Sequence, residues 1–249
     1  MDAALRSLLD WYAEMGVDVP KVPEARAPRA RRKAPAHSPA PTPAGSRPSA
    51  DTPAPQKIAD LSKVRTLNAL QTAMNEFDAG PLTDGARQAV FSRGNPDANL
   101  MVIGESPGRD EDIQGRPFVG PSGQLLDRML GAIGLGEDDY YVTNVINWRL
   151  PQNRSAKPED IALCRPFIEK HITLAEPKIL LLVGGISMSA LTGLNGIMKN
   201  HGQWQDVSIA DQSYRALPLY HPAFLLRRPE LKKEAWRDLL ALREALLSL

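Results

Sequence analysis

Three stretches of this 249-residue sequence gather side chains able to do chemistry. The first, GESPGRDEDIQGRPFVGPSG over 104–123, crowds the carboxylates Glu105, Asp110, Glu111 and Asp112 just ahead of Phe118. Carboxylates can orient or deprotonate a water, and an aromatic ring offers a floor for stacking, so acids beside an aromatic suggest a pocket for a heterocyclic base. The second, TNVINWRLPQNR over 143–154, offers Asn144, whose amide presents both the donor and the acceptor that a pyrimidine edge requires. The third, YHPAFLLRRP over 220–229, sets His221 before a proline, then an apolar run, then Arg227 and Arg228, the composition of a loop that touches nucleic acid.

Each stretch has a plainer reading beside this one. GESPG is also a tight turn explained by its Pro and Gly, Asn144 also a turn cap, and His221 also a satisfied structural histidine. A phosphate-cradling loop is disfavoured, because the spacing matches neither GxGxxG nor GxxxxGK[ST]. That spacing also counts against a Rossmann-like nucleotide-binding protein.

Positioning these stretches falls to strands. Leu100–Gly104, Tyr140–Ile146, Ile179–Gly184 and Ala216–Tyr220 read as four strands rich in Val, Ile, Leu and Tyr. Helical periodicity is read over 58–77, from a cap at Ser122 to Ile133, from Pro158 to about Leu174, and over roughly Leu231–Leu247. Alternating strands and helices imply a parallel sheet covered on both faces. Ligands of such sheets bind at the carboxyl ends of the strands, where all three stretches fall.

Ahead of this unit the composition changes. Leu5, Leu8, Leu9, Tyr12 and Met15 recur at helical spacing, so residues 1–17 are read as an amphipathic helix. Residues 18–57 hold ten of the 22 prolines, with Ala, Ser and Arg between, and read as a disordered linker. The remaining domain is assigned to 58–249. Net charge is only +1, but 20–57 carries eight Lys or Arg against Glu24 and Asp51, a local +6 that leaves the rest at −5. Overall charge therefore does not announce a nucleic-acid binder, and the basic tract is read as a solvated tether, with non-specific phosphate binding by Arg29, Arg31, Arg32 and Lys33 as the alternative. With no stretch long enough to span a membrane and no secretory leader, a cytoplasmic address is expected.

Taken together, GESPG with DED, QGRPFVGPSGQLLD, TNV, CRPF and YHPAFLLRRP resemble family 4 of the uracil-DNA glycosylases, in order and spacing, over about residues 70–245. The resemblance implies a three-layer α/β/α sandwich around a four-stranded parallel sheet, and a monofunctional hydrolase that releases flipped-out uracil from single- or double-stranded DNA in base excision repair. It implies that Phe118 stacks on the uracil, that Asn144 reads its edge within a pocket that includes Gly104, and that His221 supports the charge developing on a pyrimidine oxygen. Glu111 and Glu105 match acids that orient or activate the water. Ser122, Leu225, Leu226 and Arg227 match positions that contact DNA, with the two leucines and Arg227 filling the vacated stack and gripping the backbone. The alternative is a module of the same fold that binds DNA or a damaged base without turnover.

One departure is plain. The family's four-iron, four-sulfur cluster takes four cysteines, and this chain has only Cys164, in CRPF. Motif alignment sets Phe77, Gly80 and Trp148 at the other three positions. No cluster, other metal or organic cofactor is therefore expected, and Phe77 and Trp148 are expected to fill the vacated space.

Overall fold

The computed structural model describes residues 59–249. The amphipathic helix and linker read over 1–17 and 18–57 lie outside the described residues.

Six strands form one sheet: β1 (Arg93–Gly94), β2 (Leu100–Gly104), β3 (Tyr140–Asn144), β4 (Ile179–Val183), β5 (Gln205–Ile209) and β6 (Gln212–Leu219), in the order β1-β3-β2-β4-β6-β5. The four strands expected from the sequence are its centre and run parallel, with Gly104 opposite Asn144 and Leu182 opposite Pro218. The expected four-stranded parallel sheet is thus enlarged to a mixed sheet of six, because β1 and β5 add antiparallel edges.

Side chains along the central strands explain the layering. Successive residues of a strand point to opposite faces. Leu100 and Val102 accordingly enter one core with Ile179, Leu181 and Leu217, while Met101 and Ile103 enter the other with Leu180 and Leu182. All five residues of β2, β3 and β4 are buried, which requires helices on both faces. On the first face lie α3 (Pro121–Ala132), through Leu125, Leu126, Met129 and Leu130, and α8 (Lys232–Leu247), through Ala235, Leu239 and Leu242. On the second lie α1 (Leu67–Asn75), α4 (Pro158–Ala175) and α5 (Gly185–Thr192). Three short helices complete the fold: α2 (Arg109–Gln114), α6 (Ile197–Asn200) and α7 (Pro222–Arg227).

Two expected helix starts shift. The helix read from residue 58 begins at Leu67, capped by Thr66, whose hydroxyl accepts the Ala69 N–H at 3.2 Å. Just upstream the Asp60 carboxylate takes the Ser62 N–H, a local bond that competes with helix formation. Ser122 does not cap α3. Gly120 does, with Pro121 in the first turn, so Ser122 sits within that turn.

Candidate active site

The turns after β2, β3 and β6 meet at the carboxyl edge of the sheet around a chamber of about 160 Å³. Phe118, Asn144 and His221 line it together, and Ser106, Gly108, Glu111 and Ser122 complete the wall. Pockets for drug-sized ligands begin at roughly 300 Å³. This one suits a single planar ring.

Phe118 is held in a conformation its residue type disfavours. Its φ is 55°, in the left-handed region that costs a bulky side chain of order 1–3 kcal/mol. Neighbours hold it from both sides. Glu111 accepts the N–H groups of Val119 and Gly120 through Oε1, at 3.0 and 2.9 Å, and that of Gly108 through Oε2 at 3.1 Å. The buried Arg93 guanidinium donates to the carbonyls of Pro117 and Phe118 at 2.9 and 3.5 Å and pairs with Asp127. Gly123 makes room, since a Cβ there would stand 1.8 Å from the Phe118 carbonyl oxygen.

Asn144 ends β3, is 2% exposed, and makes no side-chain hydrogen bond among the described residues. Buried amides are nearly always satisfied, because an unmet donor or acceptor costs roughly 1–3 kcal/mol. The Asn144 amide is therefore open to bond with whatever occupies the chamber, water included.

His221 is the N-cap of α7. Its Nδ1 accepts the Ala223 N–H at 3.1 Å, so the proton of the neutral ring sits on Nε2. Burial, reinforced by the Arg227 charge and opposed by Glu111, pushes its pKa down to about 4. The imidazole is thus neutral near pH 7, a fixed N–H donor. Its ring lies 5.9 Å from that of Phe118 at 29°, and Gly184, at φ 101°, lets it approach β4, with 3.2 Å left to a would-be Cβ.

The carboxylates separate. Only Glu111 faces the chamber; Glu105 lines a wider cleft outside it and accepts the Ala156 N–H at 3.2 Å. Asp110 is exposed, and Asp112 is buried against the Arg87 N–H at 2.7 Å. Of the residues expected to contact DNA, Ser122 lines both chamber and cleft, Arg227 lines the cleft, and Leu226 is 46% exposed. Leu225 is a correction. It is fully buried in the core beneath α7, so it cannot enter a base stack, because the helix turns that face inward. Sequence reasoning missed Arg93, Ser106 and Gly108. Arg93 stands on a two-residue strand eleven residues ahead of GESPG, with no local signal; Ser106 and Gly108 lay within that stretch but were not singled out.

Cys164 is fully buried in the same core as Trp148 and Phe167, with Phe77 packed against it. Phe77 lies 6.2 Å from Trp148 and 5.0 Å from Phe167, and Trp148 lies 6.1 Å from Phe167, by ring centroids. Burial pushes the Cys164 thiol up to about 12. A four-thiolate cluster needs ionised sulfurs on every iron, and one protonated thiol among aromatic rings does not fit it.

Comparison with known proteins identifies the family. The family model described as the uracil DNA glycosylase superfamily matches residues 91–240. The type-4 uracil-DNA glycosylase of Archaeoglobus fulgidus is 35% identical over 150 residues, 58% of this chain and 75% of the relative. That of Saccharolobus solfataricus is 36% identical over 168 residues, 65% and 78% of the two chains. That of Pyrobaculum aerophilum is 34% identical over 178 residues, 70% and 91%. On the family match, and on relatives of which it covers three quarters or more, this chain belongs to the uracil DNA glycosylase superfamily.

Proposed function

We propose that the chain is a uracil-DNA glycosylase that hydrolyses the N-glycosidic bond of a uracil turned out of DNA and leaves an abasic site for base excision repair. The observation that carries this is the buried, unpartnered amide of Asn144 in one chamber with Phe118 and the Nε2–H of His221. An aromatic face, an amide and a fixed donor around a ring-sized space are what a flat, polar pyrimidine needs. The type-4 relatives support the same reaction.

In this reading uracil stacks on Phe118, whose ring lies over Gly104, and Asn144 reads its polar edge. Water adds to C1′ of the sugar as the C1′–N1 bond breaks, and the bonding pair leaves on the base, delocalised onto its oxygens. His221 Nε2–H donates to the oxygen that gains charge; one such donor contributes about 3–4 kcal/mol in comparable sites. A neutral ring serves, because the donor is needed and a net charge is not. Glu111 keeps a lone pair on Oε2 after accepting from Gly108, enough to hold the water and take its proton. Glu105 lies further out and acts, at most, on water in the cleft. Ser122, Leu226 and Arg227 contact the DNA strand.

The reaction is proposed to need no metal or organic cofactor, the family's iron–sulfur cluster being lost and Phe77, Trp148 and Phe167 packing in its stead. The functional unit is residues 58–249, and the address cytoplasmic. Among the described residues, no helix is long and apolar enough to cross a membrane. The test is incubation with a uracil-containing oligonucleotide followed by alkali. Strand cleavage at uracil is expected; retarded mobility without cleavage would favour the binding module instead.

A further inference from the structure

Tyr220, next to His221 in the chain, joins a cluster of titratable side chains that lines neither the chamber nor the cleft outside it. His201, the C-cap of α6, turns one ring nitrogen to each of two carboxylates on α8. Its Nδ1 lies 2.7 Å from Asp238 Oδ2, and its Nε2 lies 3.4 Å from Glu234 Oε2. The His201 ring stacks on that of Tyr220, with 4.2 Å between centroids at 29°. The Tyr220 hydroxyl donates to the same Glu234 oxygen at 2.8 Å. Side chains from α8, from the end of α6 and from the segment after β6 thus close on one another.

Local features bring the segments that close. Gly202, at φ 69°, carries the chain past Asp238 where a Cβ would stand 2.1 Å from Oδ1, so the approach to α8 needs glycine. Its N–H donates to the Pro218 carbonyl at 2.9 Å, which pins this loop to β6. Glu234 and Asp238, one turn apart on α8, repel each other, and burial pushes the Asp238 carboxyl up. The His201 ring stands at both, and in its imidazolium form it donates to both. The backbone that carries His221 lies past the end of β6, which stops at Leu219, and the fully buried Tyr220 is the adjacent anchor. Tyr220 also packs 5.7 Å from Phe224, between ring centroids, so the anchor reaches α7. The Ala223 N–H fixes the His221 ring relative to α7, but it does not fix α7 relative to the sheet.

We propose that His201 is a positioning residue for base release: clasped by Asp238 and Glu234, it holds Tyr220, and through Tyr220 it sets where the His221 Nε2–H meets the charge on the departing base. This rests on the uracil-excision reading and adds to it a residue outside the chamber. Such a residue acts on kcat and leaves KM alone, because the contact it aims is made in the transition state.

The test measures kcat and KM on a uracil-containing oligonucleotide for three substitutions in the full chain. His201→Phe keeps the stack on Tyr220 but removes both ring nitrogens, and His201→Arg restores two donors. Tyr220→Phe removes only the bond to Glu234, which is 41% exposed and remains hydrated, so the fold is kept. In His201→Phe and Tyr220→Phe, kcat is expected to fall about tenfold with KM little changed, the effect of about one net hydrogen bond. In His201→Arg it returns to within about twofold. Tyr220→Phe decides where His201→Phe fails to fold. Long-range proton–nitrogen NMR spectra of the labelled chains give a readout independent of excision: His221 is a single Nε2–H tautomer in the unsubstituted chain and a mixture in Tyr220→Phe. Unchanged kcat in Tyr220→Phe, or a loss in a folded His201→Phe that His201→Arg leaves uncorrected, overturns the proposal. Uracil release from no chain, with the tautomer mixture present in Tyr220→Phe, supports the positioning and rejects excision; a single tautomer there rejects both.

Discussion

The ring of Phe118 occupies the space in which a β-carbon on Gly104 would stand: its Cε2 and Cζ lie 2.5 Å from that position, and Asn144 Oδ1 lies 2.4 Å from it. The glycine at the end of β2 thus sets the spacing between the stacking ring and the reading amide. Gly104→Ala must displace both, and a misplacement of about 1 Å in such a site costs about 100-fold. We expect kcat/KM on uracil DNA to fall by about that factor. Activity within threefold of the unsubstituted chain would show that the two groups need not be so placed.

His221 is held neutral, and the pH profile reports it. With its pKa at about 4 instead of near 6.5, the ring is uncharged at every pH above about 4, so the Nε2–H donor with its Nδ1 cap is intact throughout that range. Activity is expected to show no step at 6.5 and to fall only as pH approaches 4. His221→Ala should lower kcat about 100- to 1,000-fold with KM little changed, as for loss of one charge-stabilising donor. A kcat step near 6.5 that vanishes in His221→Ala would contradict the assignment.

A second buried histidine governs stability. His171 stacks on Phe91 at 4.4 Å, sits 3.0 Å from the Tyr141 hydroxyl, and is driven by burial to a pKa of about 3. Unfolded chain protonates at this position near 6.5 and folded chain does not, so the stability it confers is full above 6.5 and lost as pH falls toward 3. Between pH 7 and pH 5 that amounts to about 2 kcal/mol. Urea denaturation should show the pH-dependent loss smaller by about that amount in His171→Gln, which cannot titrate. An identical pH dependence in both chains would refute it.

The aromatic packing around Cys164 predicts metal-free folding. Protein unfolded and refolded in excess chelator should regain its Tm and activity, with no absorbance near 400 nm and no bound iron. Trp148→Ala should cost about 3–5 kcal/mol, the usual penalty for emptying a buried aromatic site. Stoichiometric iron, or refolding that depends on it, would contradict this.

What could be read from the sequence followed local rules. The apolar runs Leu100–Gly104 and Ile179–Val183 announced buried parallel strands, and the turn-rich stretches at the ends of β2, β3 and β6 announced the rim on which Phe118, Asn144 and His221 converge. The rest depended on tertiary placement. β1 is two residues long and β5 alternates only weakly, so neither edge gave a strand signal. RDEDIQ reads as an acidic loop, yet folds as α2, whose first turn is tied down by the Glu111 carboxylate accepting the Gly108 N–H. PAFLLR gave no phase, and the phase of α7 decides that Leu225 faces inward while Leu226 faces out. Arg93 reaches Phe118 across 25 positions, a contact that no local pattern encodes.

The most direct test identifies the base released. Purified chain is incubated with an oligonucleotide carrying one uracil among the four ordinary bases, and the small-molecule fraction is analysed by mass spectrometry. Free uracil is expected in one-to-one yield with abasic sites, with no other base, and that product is lost in Asn144→Ala. Release of a different base, or undiminished uracil release from Asn144→Ala, would contradict uracil excision at this site.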